Sequence, residues 1–286
     1  GQCYHRAMDE SGLSRENERH SYLAAPWRMR YLRAGAPAEG CVFCSKIDGT
    51  NDVEDLVLWR GRSVFIMMNL FPYSTGHIMI APNAHVASPE EIDLETMAEI
   101  AELIPPSMRA LRRMLSCQGF NTGINTGSAA GAGIADHMHL HIVPRWGGDA
   151  NFMPVVGQVT VMPEVLSVTY AKLRAELGRE LGTHRRFRAL VVSPDRKWIY
   201  RPDGSLPEVE PLGDEPVAAQ IERALTSQGI EGVLSGWAGQ ETLVWTADVP
   251  ANPGIDGWIP TRELACSIDP DLLEALQGWS PEVGSG

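Results

Sequence analysis

The stretch "ADHMHLHIVPRWGGDANF", residues 135–152, sets imidazoles at 137, 139 and 141 and separates them with Met138, Leu140 and Ile142. Side chains two apart share one face of a β-strand, whereas a helix would scatter these three around its axis. The segment therefore predicts a strand with one histidine face and one apolar face.

Working outward, "FNTGINTG" (120–127) reads as the antiparallel partner of that strand, with "SAAGAG" (128–133) as the turn between them. Upstream, "LVLWR" (56–60), "SVFIMMN" (63–69) and "GHIMIAP" (76–82) are short β-prone runs bounded by turn residues. Ser88-Pro89-Glu90-Glu91 combines an N-cap, a proline at the first helical position and a glutamate at the third. A helix is predicted from there, kinked at Pro105-Pro106 and ending near Gly119. Residues 163–182 predict a second, amphipathic helix. From about His184 the texture changes: "HRRF" is basic, and "RALVVS" and "KWIYRP" begin a new unit with dense Pro and Gly at 202–216 and 250–260. The predicted helix there is Glu215 to Gln228. The expected organisation is an N-terminal arm over 1–40, a domain over 41–183 and a C-terminal domain over 184–286.

At 286 residues, 44% of them hydrophobic, the chain can bury one large core or two ordinary ones. No apolar run approaches the roughly 18 residues that span a bilayer, and the first thirty residues lack a signal-peptide core, so a cytoplasmic protein without membrane partners is expected. The formal net charge of -12 argues against nucleic-acid binding while leaving room for a small polyanion. Cys41-Val-Phe-Cys44 suggests metal or redox chemistry before a structural disulfide. Cys3, Cys117 and Cys266 read as incidental.

Three imidazoles on one face suit a metal tract, since neutral histidine is a common ligand. His77, in a neighbouring strand, adds a fourth. The glycines of "TGSAAGAG", Gly127, Gly131 and Gly133, favour a different reading, because backbone N–H groups there can approach a phosphate without a Cβ in the way. Phosphate and imidazoles together imply phosphoryl or nucleotidyl transfer, with one imidazole attacking phosphorus and its neighbours orienting it.

His137-Met-His139-Leu-His141-Ile-Val143 resembles the His-x-His-x-His-x-x signature of the histidine-triad nucleotide hydrolases and transferases. "NLFPYSTGHIMIAP", "GFNTGINTGSAAGAG" and "HIVPRWGGDANF" resemble the bacterial diadenosine-polyphosphate phosphorylase branch, over roughly 25–180. This resemblance implies an α+β histidine-triad fold, an antiparallel sheet with helices, followed by a smaller α/β domain. It implies that His139 is the nucleophile of a covalent nucleotidyl intermediate, that His141 and His77 support it, that Asn69 holds the ribose and that Asn125 and Gly127 lie on the phosphate side. It further implies a structural zinc held by Cys41, Cys44, His85 and His137, a homodimer, and no organic cofactor. Where the phosphorylases carry a serine just upstream of the triad and other branches a glutamine, this chain has Gly133, so the acceptor is phosphate or water. The expected substrate is a nucleoside polyphosphate or an adenylylated compound. The alternatives are a nucleotide-binding sensor without catalysis and a pathway-specific nucleotide hydrolase of secondary metabolism. The C-terminal part resembles a Nudix domain in which Arg223, Thr226 and Ser227 stand where magnesium-binding glutamates belong, and so reads as non-catalytic.

Overall fold

A computed structural model describes residues 40–149, 164–239, 241–248 and 257–261. The expected arm (residues 1–39), Asn151 and Phe152 of the histidine segment, and Cys3 and Cys266 lie outside the described residues.

Alternation along each strand builds the first sheet. Its strands are β1 (Val57–Arg60), β2 (Val64–Met68), β3 (Ile78–Pro82), β4 (Gly119–Ile124) and β5 (Leu140–Arg145), in the spatial order β1-β2-β3-β5-β4, with every pairing antiparallel. The runs predicted at 56–60, 63–69 and 76–82 hold to within two residues at each end, whereas β4 stops three residues short of 127 and β5 begins only at Leu140, so that His137 and His139 precede the strand predicted to carry all three histidines. Val64, Ile66, Met68, Ile78, Ile80, Leu140 and Ile142 point to one face. Val57, Phe65, Met67, Met79 and Ala81 point to the other, where Phe43 of the short helix α1 (Val42–Ile47) packs on them. A sheet buried on both faces explains why β2 and β3 are apolar at nearly every position.

Helix α2 (Leu94–Leu115) covers the first face with Ile100, Leu103, Ala110 and Leu111. It starts later than the Ser88 signal predicts. Ser88 instead closes a turn, its Oγ accepting from Glu90 N–H at 3.2 Å, while Asp93 is the N-cap, accepting from Thr96 N–H at 2.8 Å. The helix runs on through Pro105-Pro106 and ends at Leu115, where Ser116 adopts a left-handed conformation with φ 51°.

The second sheet has the order β11-β7-β6-β10-β9, formed by β6 (Phe187–Val192), β7 (Trp198–Tyr200), β9 (Gly232–Ala238), β10 (Thr242–Ala247) and β11 (Trp258–Pro260). β8 (Glu208–Val209) pairs with β6, and β6 runs parallel to β10. Between the two sheets lies α3 (Leu166–Glu180), packed against α2, β1 and β9 and against α4 (Val217–Ser227). One continuous apolar core therefore runs from Ile66 and Ile80 through Tyr170, Leu173 and Leu177 to Phe187, Trp237 and Trp245. The amphipathic reading of α3 is corrected by this packing: Leu173, Arg174, Ala175, Glu176 and Leu177, which point in several directions around the axis, are all buried.

A helix buried all round must pair its polar groups. Arg174 donates to Val57 O at 2.6 Å and to Tyr170 Oη at 2.9 Å, and faces Asp52. Glu176, 1% exposed, accepts from Arg113 of α2 at 3.0 Å and from Val217 N–H, at the start of α4, at 2.6 Å. One carboxylate thus ties three helices together. Burial pushes its carboxyl above the ordinary range, against the pull of those two donors. Replacing Glu176 with Ala takes one of two carboxylate partners from Arg113, which keeps Glu180, and leaves the Val217 N–H at the start of α4 without its acceptor, with an expected cost of about 2 kcal/mol. Urea unfolding checks this, and an unchanged midpoint would show that the network is dispensable.

Candidate functional site

Helix α1 presents Cys41 at its N-cap and Cys44 in its first turn, His85 follows β3, and His137 precedes β5. Cys41 Sγ lies 3.3 Å from His137 Nδ1, Cys44 Sγ 3.3 Å from His85 Nδ1 and 3.7 Å from His137 Nδ1. All four ligand atoms fall within 4.8 Å of one another. Tetrahedral zinc bonds of ~2.3 Å to sulfur and ~2.0–2.1 Å to nitrogen imply S···N edges of about 3.6 Å, close to these separations. His137 Nε2–H donates to the Pro82 carbonyl at 2.9 Å, which leaves the Nδ1 lone pair directed at the thiols. Burial lowers the His137 pKa, favouring the neutral ring a metal needs. The donor set and its geometry fit a metal ion. Among the described residues this is the one grouping of three or more metal-ligating side chains.

The alternation of the histidine segment carries its neighbours elsewhere. Met138, Leu140 and Ile142 enter the main core, while the rings of His137 and His139 lie against Phe43 on the opposite face. His139 Nδ1–H donates to the His137 carbonyl at 2.9 Å, so its Nε2 is the unprotonated nitrogen. Burial lowers its pKa despite that hydrogen bond, which keeps the ring neutral. Three metal-sharing imidazoles are thereby disfavoured, since only His137 turns toward the cysteines.

His141 sits opposite Met79 and Gly123 in the sheet and meets His77 across 3.0 Å, Nδ1 to Nε2. The direction of that bond follows from the far side of His77. Its Nδ1 receives the Tyr73 backbone N–H at 3.1 Å and the Asn69 amide at 3.3 Å, so it is an acceptor and the proton sits on Nε2. His77 consequently donates to His141 Nδ1, and His141 carries its own proton on Nε2. Burial, with His141 and His139 nearby, pushes the His77 pKa down to about 3, so the His77 ring is neutral near pH 7. Gly76 delivers His77 through a turn at φ +78°, where a Cβ would meet Leu115 and Leu111 at 2.6 and 2.9 Å. His139 and His141 stand edge to face, ring centroids 4.6 Å apart. One imidazole with a lone pair and one with an N–H now sit side by side, an arrangement suited to attack on phosphorus with hydrogen-bond donation to a phosphoryl oxygen.

Asn69 lies just past β2, its Oδ1 accepting from Phe71 N–H at 2.9 Å, so its amide is fixed beside His77. Asn125, Gly127, Gly131 and Gly133 lie on the connection from β4 to the histidine segment; the three glycines are exposed and Asn125 is half-buried. Gly127 and Gly131 take φ of 76° and 81°, conformations that favour glycine. The connection is a 3₁₀ turn over Ser128–Ala130, in which Ala130 N–H and Gly131 N–H already donate to Gly127 O and Ser128 O. Those two groups are used within the turn, contrary to the expectation that the whole run is available to phosphate. Sequence reading also missed Phe43, the Tyr73 N–H and the Pro82 and His137 carbonyls. Phe43 alone left a signal, as the aromatic between two cysteines.

A family model for the HIT domain matches residues 50–148. A Mycobacterium tuberculosis protein named AP-4-A phosphorylase is 38% identical over 167 residues, covering 55% of this chain and 85% of its own length. The Bacillus subtilis protein named Protein hit is 30% identical over 115 residues, covering 40% of this chain and 77% of its own. Among solved structures, a zinc-bound histidine triad family protein from Mycobacterium smegmatis is similar at 26% identity, covering 51% of this chain and 98% of that one, with a TM-score of 0.42. The antiparallel sheet with its helices and the clustered histidines define an α+β fold with a histidine-lined site. This chain belongs to the HIT domain family.

Proposed function

We propose that the protein transfers or cleaves a nucleotidyl group of a nucleoside polyphosphate, such as a dinucleoside polyphosphate, or of an adenylylated compound, through a covalent intermediate on His139. The single observation that carries this reading is the His139 Nδ1–H bond to the His137 carbonyl, which leaves Nε2 as a base-form nucleophile beside the His141 N–H. In the first half-reaction the Nε2 lone pair attacks the α-phosphorus and a P–N bond forms. The P–O bond to the departing group breaks and its oxygen keeps the electron pair, leaving as a phosphate anion to which His141 Nε2–H donates a hydrogen bond. In the second, an oxygen of phosphate or water attacks the same phosphorus, the P–N bond breaks with its electron pair returning to His139 Nε2, and any proton on the attacking oxygen passes to solvent. Asn69, Asn125, Gly127, Gly131 and Gly133 are the proposed nucleotide contacts, and the M. tuberculosis relative's name supports a polyphosphate substrate.

Zinc is the proposed occupant of the Cys41, Cys44, His85 and His137 cluster, where it supplies a structural tie between α1 and the sheet rather than a reacting group. No helix of the described residues is long and apolar enough to cross a membrane. A cytoplasmic homodimer remains the proposed setting.

Intact-mass measurement after mixing with diadenosine tetraphosphate, with and without phosphate, tests the reading. The expected product is a nucleotidyl adduct that maps to His139, discharged faster by the true acceptor. Absence of any adduct from an active preparation under rapid quenching would remove the covalent step.

Residues 184–286 are proposed to be non-catalytic. Thr226 Oγ1 and Ser227 Oγ bond back to the carbonyls of Glu222 and Ala224, and Arg223 pairs with Glu215, so this helix face offers no ligand set for a hard cation. The full chain carrying His139→Asn is expected to leave a nucleoside diphosphate sugar intact in the presence of magnesium. Magnesium-dependent hydrolysis above the buffer rate would assign a second active site to this region.

A further inference from the structure

Phe43 stands between the two cysteines of α1 and is fully buried. Its ring centroid lies 5.0 Å from that of His137 and 4.8 Å from that of His139, at interplanar angles of 40° and 36°. Behind it is Phe65, 6.4 Å away and nearly edge-on, in a small cluster with Val57, Met67, Met79 and Ala81. His137 is shared between two tasks: its Nδ1 faces the thiols, and its carbonyl accepts from His139. The metal cluster and the nucleophile are therefore joined through one residue, and one phenyl ring packs on both imidazoles.

We propose that Phe43 is a positioning residue that couples the metal cluster to His139. Seating Cys41 and Cys44 on the cluster seats α1, and α1 holds the Phe43 ring against His137 and His139, keeping the His139 Nδ1–H on the His137 carbonyl. The inference rests on His139 being the nucleophile. Its physical basis is the soft χ2 torsion of histidine, which is broad and roughly two-fold. A half-turn of the ring would exchange its edges and break the bond that fixes the tautomer. That hydrogen bond and the packing of Phe43 and His141 on the ring oppose such a turn. Loss of a supporting group of this kind costs about 10–100-fold in activity, and a misplacement of about 1 Å costs on the order of 10²-fold.

The test uses the full chain with Phe43→Leu, Cys44→Ser and, as a packing control from the same cluster, Phe65→Leu. Three quantities are read: zinc content, the protonated nitrogen of His139 from ¹⁵N NMR, and kcat and KM separately with diadenosine tetraphosphate. Phe43→Leu is expected to retain zinc, to show a mixture of His139 tautomers, and to lose about 10–100-fold in kcat with KM little changed. Cys44→Ser is expected to lose zinc and reach the same mixture, and the double variant to be hardly worse in kcat than either single one. Phe65→Leu is expected to keep the single tautomer. The proposal is overturned if Phe43→Leu keeps one His139 tautomer and wild-type kcat, or if Phe65→Leu produces the same mixture. His139→Asn run alongside separates the two levels. If that variant turns over normally, the nucleophile reading fails; if it is dead while Phe43→Leu behaves as wild type, only the role of Phe43 fails.

Discussion

Replacing His139 with Asn is expected to reduce turnover of the true substrate by on the order of 10⁴-fold or more, as removal of a covalent nucleophile does elsewhere, while nucleotide affinity changes little. The separation follows from the geometry. Asparagine can still donate toward the His137 carbonyl that holds His139 Nδ1, but it offers no nitrogen lone pair where Nε2 stood. The proposed contacts to ribose and phosphate come from Asn69 and from the turn around Gly127, which the substitution does not touch. Steady-state kinetics with equilibrium nucleotide titration checks both halves, and intact mass should find no adduct. His139→Gly with added imidazole is expected to regain part of the rate, because the slot beside Phe43 and His141 would then hold a free ring. Near-normal turnover by His139→Asn would falsify the nucleophile assignment.

The second large effect concerns the metal cluster. Purified protein is expected to hold about one zinc per chain, and Cys41→Ala or His85→Ala to lose most of it. Because α1 meets the sheet through Phe43 and its neighbours as well as through the cluster, zinc loss should release the helix and lower stability by several kcal/mol. His137 would keep its Pro82 bond but face the cluster without a partner. Elemental analysis with thermal unfolding in the presence and absence of a chelator decides it. Unchanged metal content and unchanged melting in both variants would dismiss these ligands.

Much of this was legible in the chain. Alternation at 137–142 fixes which side chains share a face, since the two-residue period belongs to the backbone and needs no partner. Apolar runs at 56–60, 63–69 and 76–82 announce strands because they are short, rich in β-prone residues and bounded by turn residues. The start of α2 shows where local signals stop. Ser88-Pro-Glu-Glu reads as the cap in sequence, but Asp93 caps the helix, which lays Ile100, Leu103 and Leu111 on the sheet. Burial of α3 on several sides was likewise hidden, because its second contact surface is built by strands that come later in the chain.

The histidines divide in the same way. Their identity and spacing prescribe a shared face and the chemistry of imidazole. What His137 and His141 do was decided by groups far away in the chain: Cys41, 96 residues before His137; Pro82, 55 residues before it; and His77, 64 residues before His141. A neutral imidazole has one donor and one acceptor nitrogen, and only the partner that reaches it settles which is which. Tertiary packing brought thiols to His137 and a second imidazole to His141, while the nearby His137 carbonyl orients His139, and three rings that look alike in sequence became a candidate ligand, a hydrogen-bond donor and a candidate nucleophile.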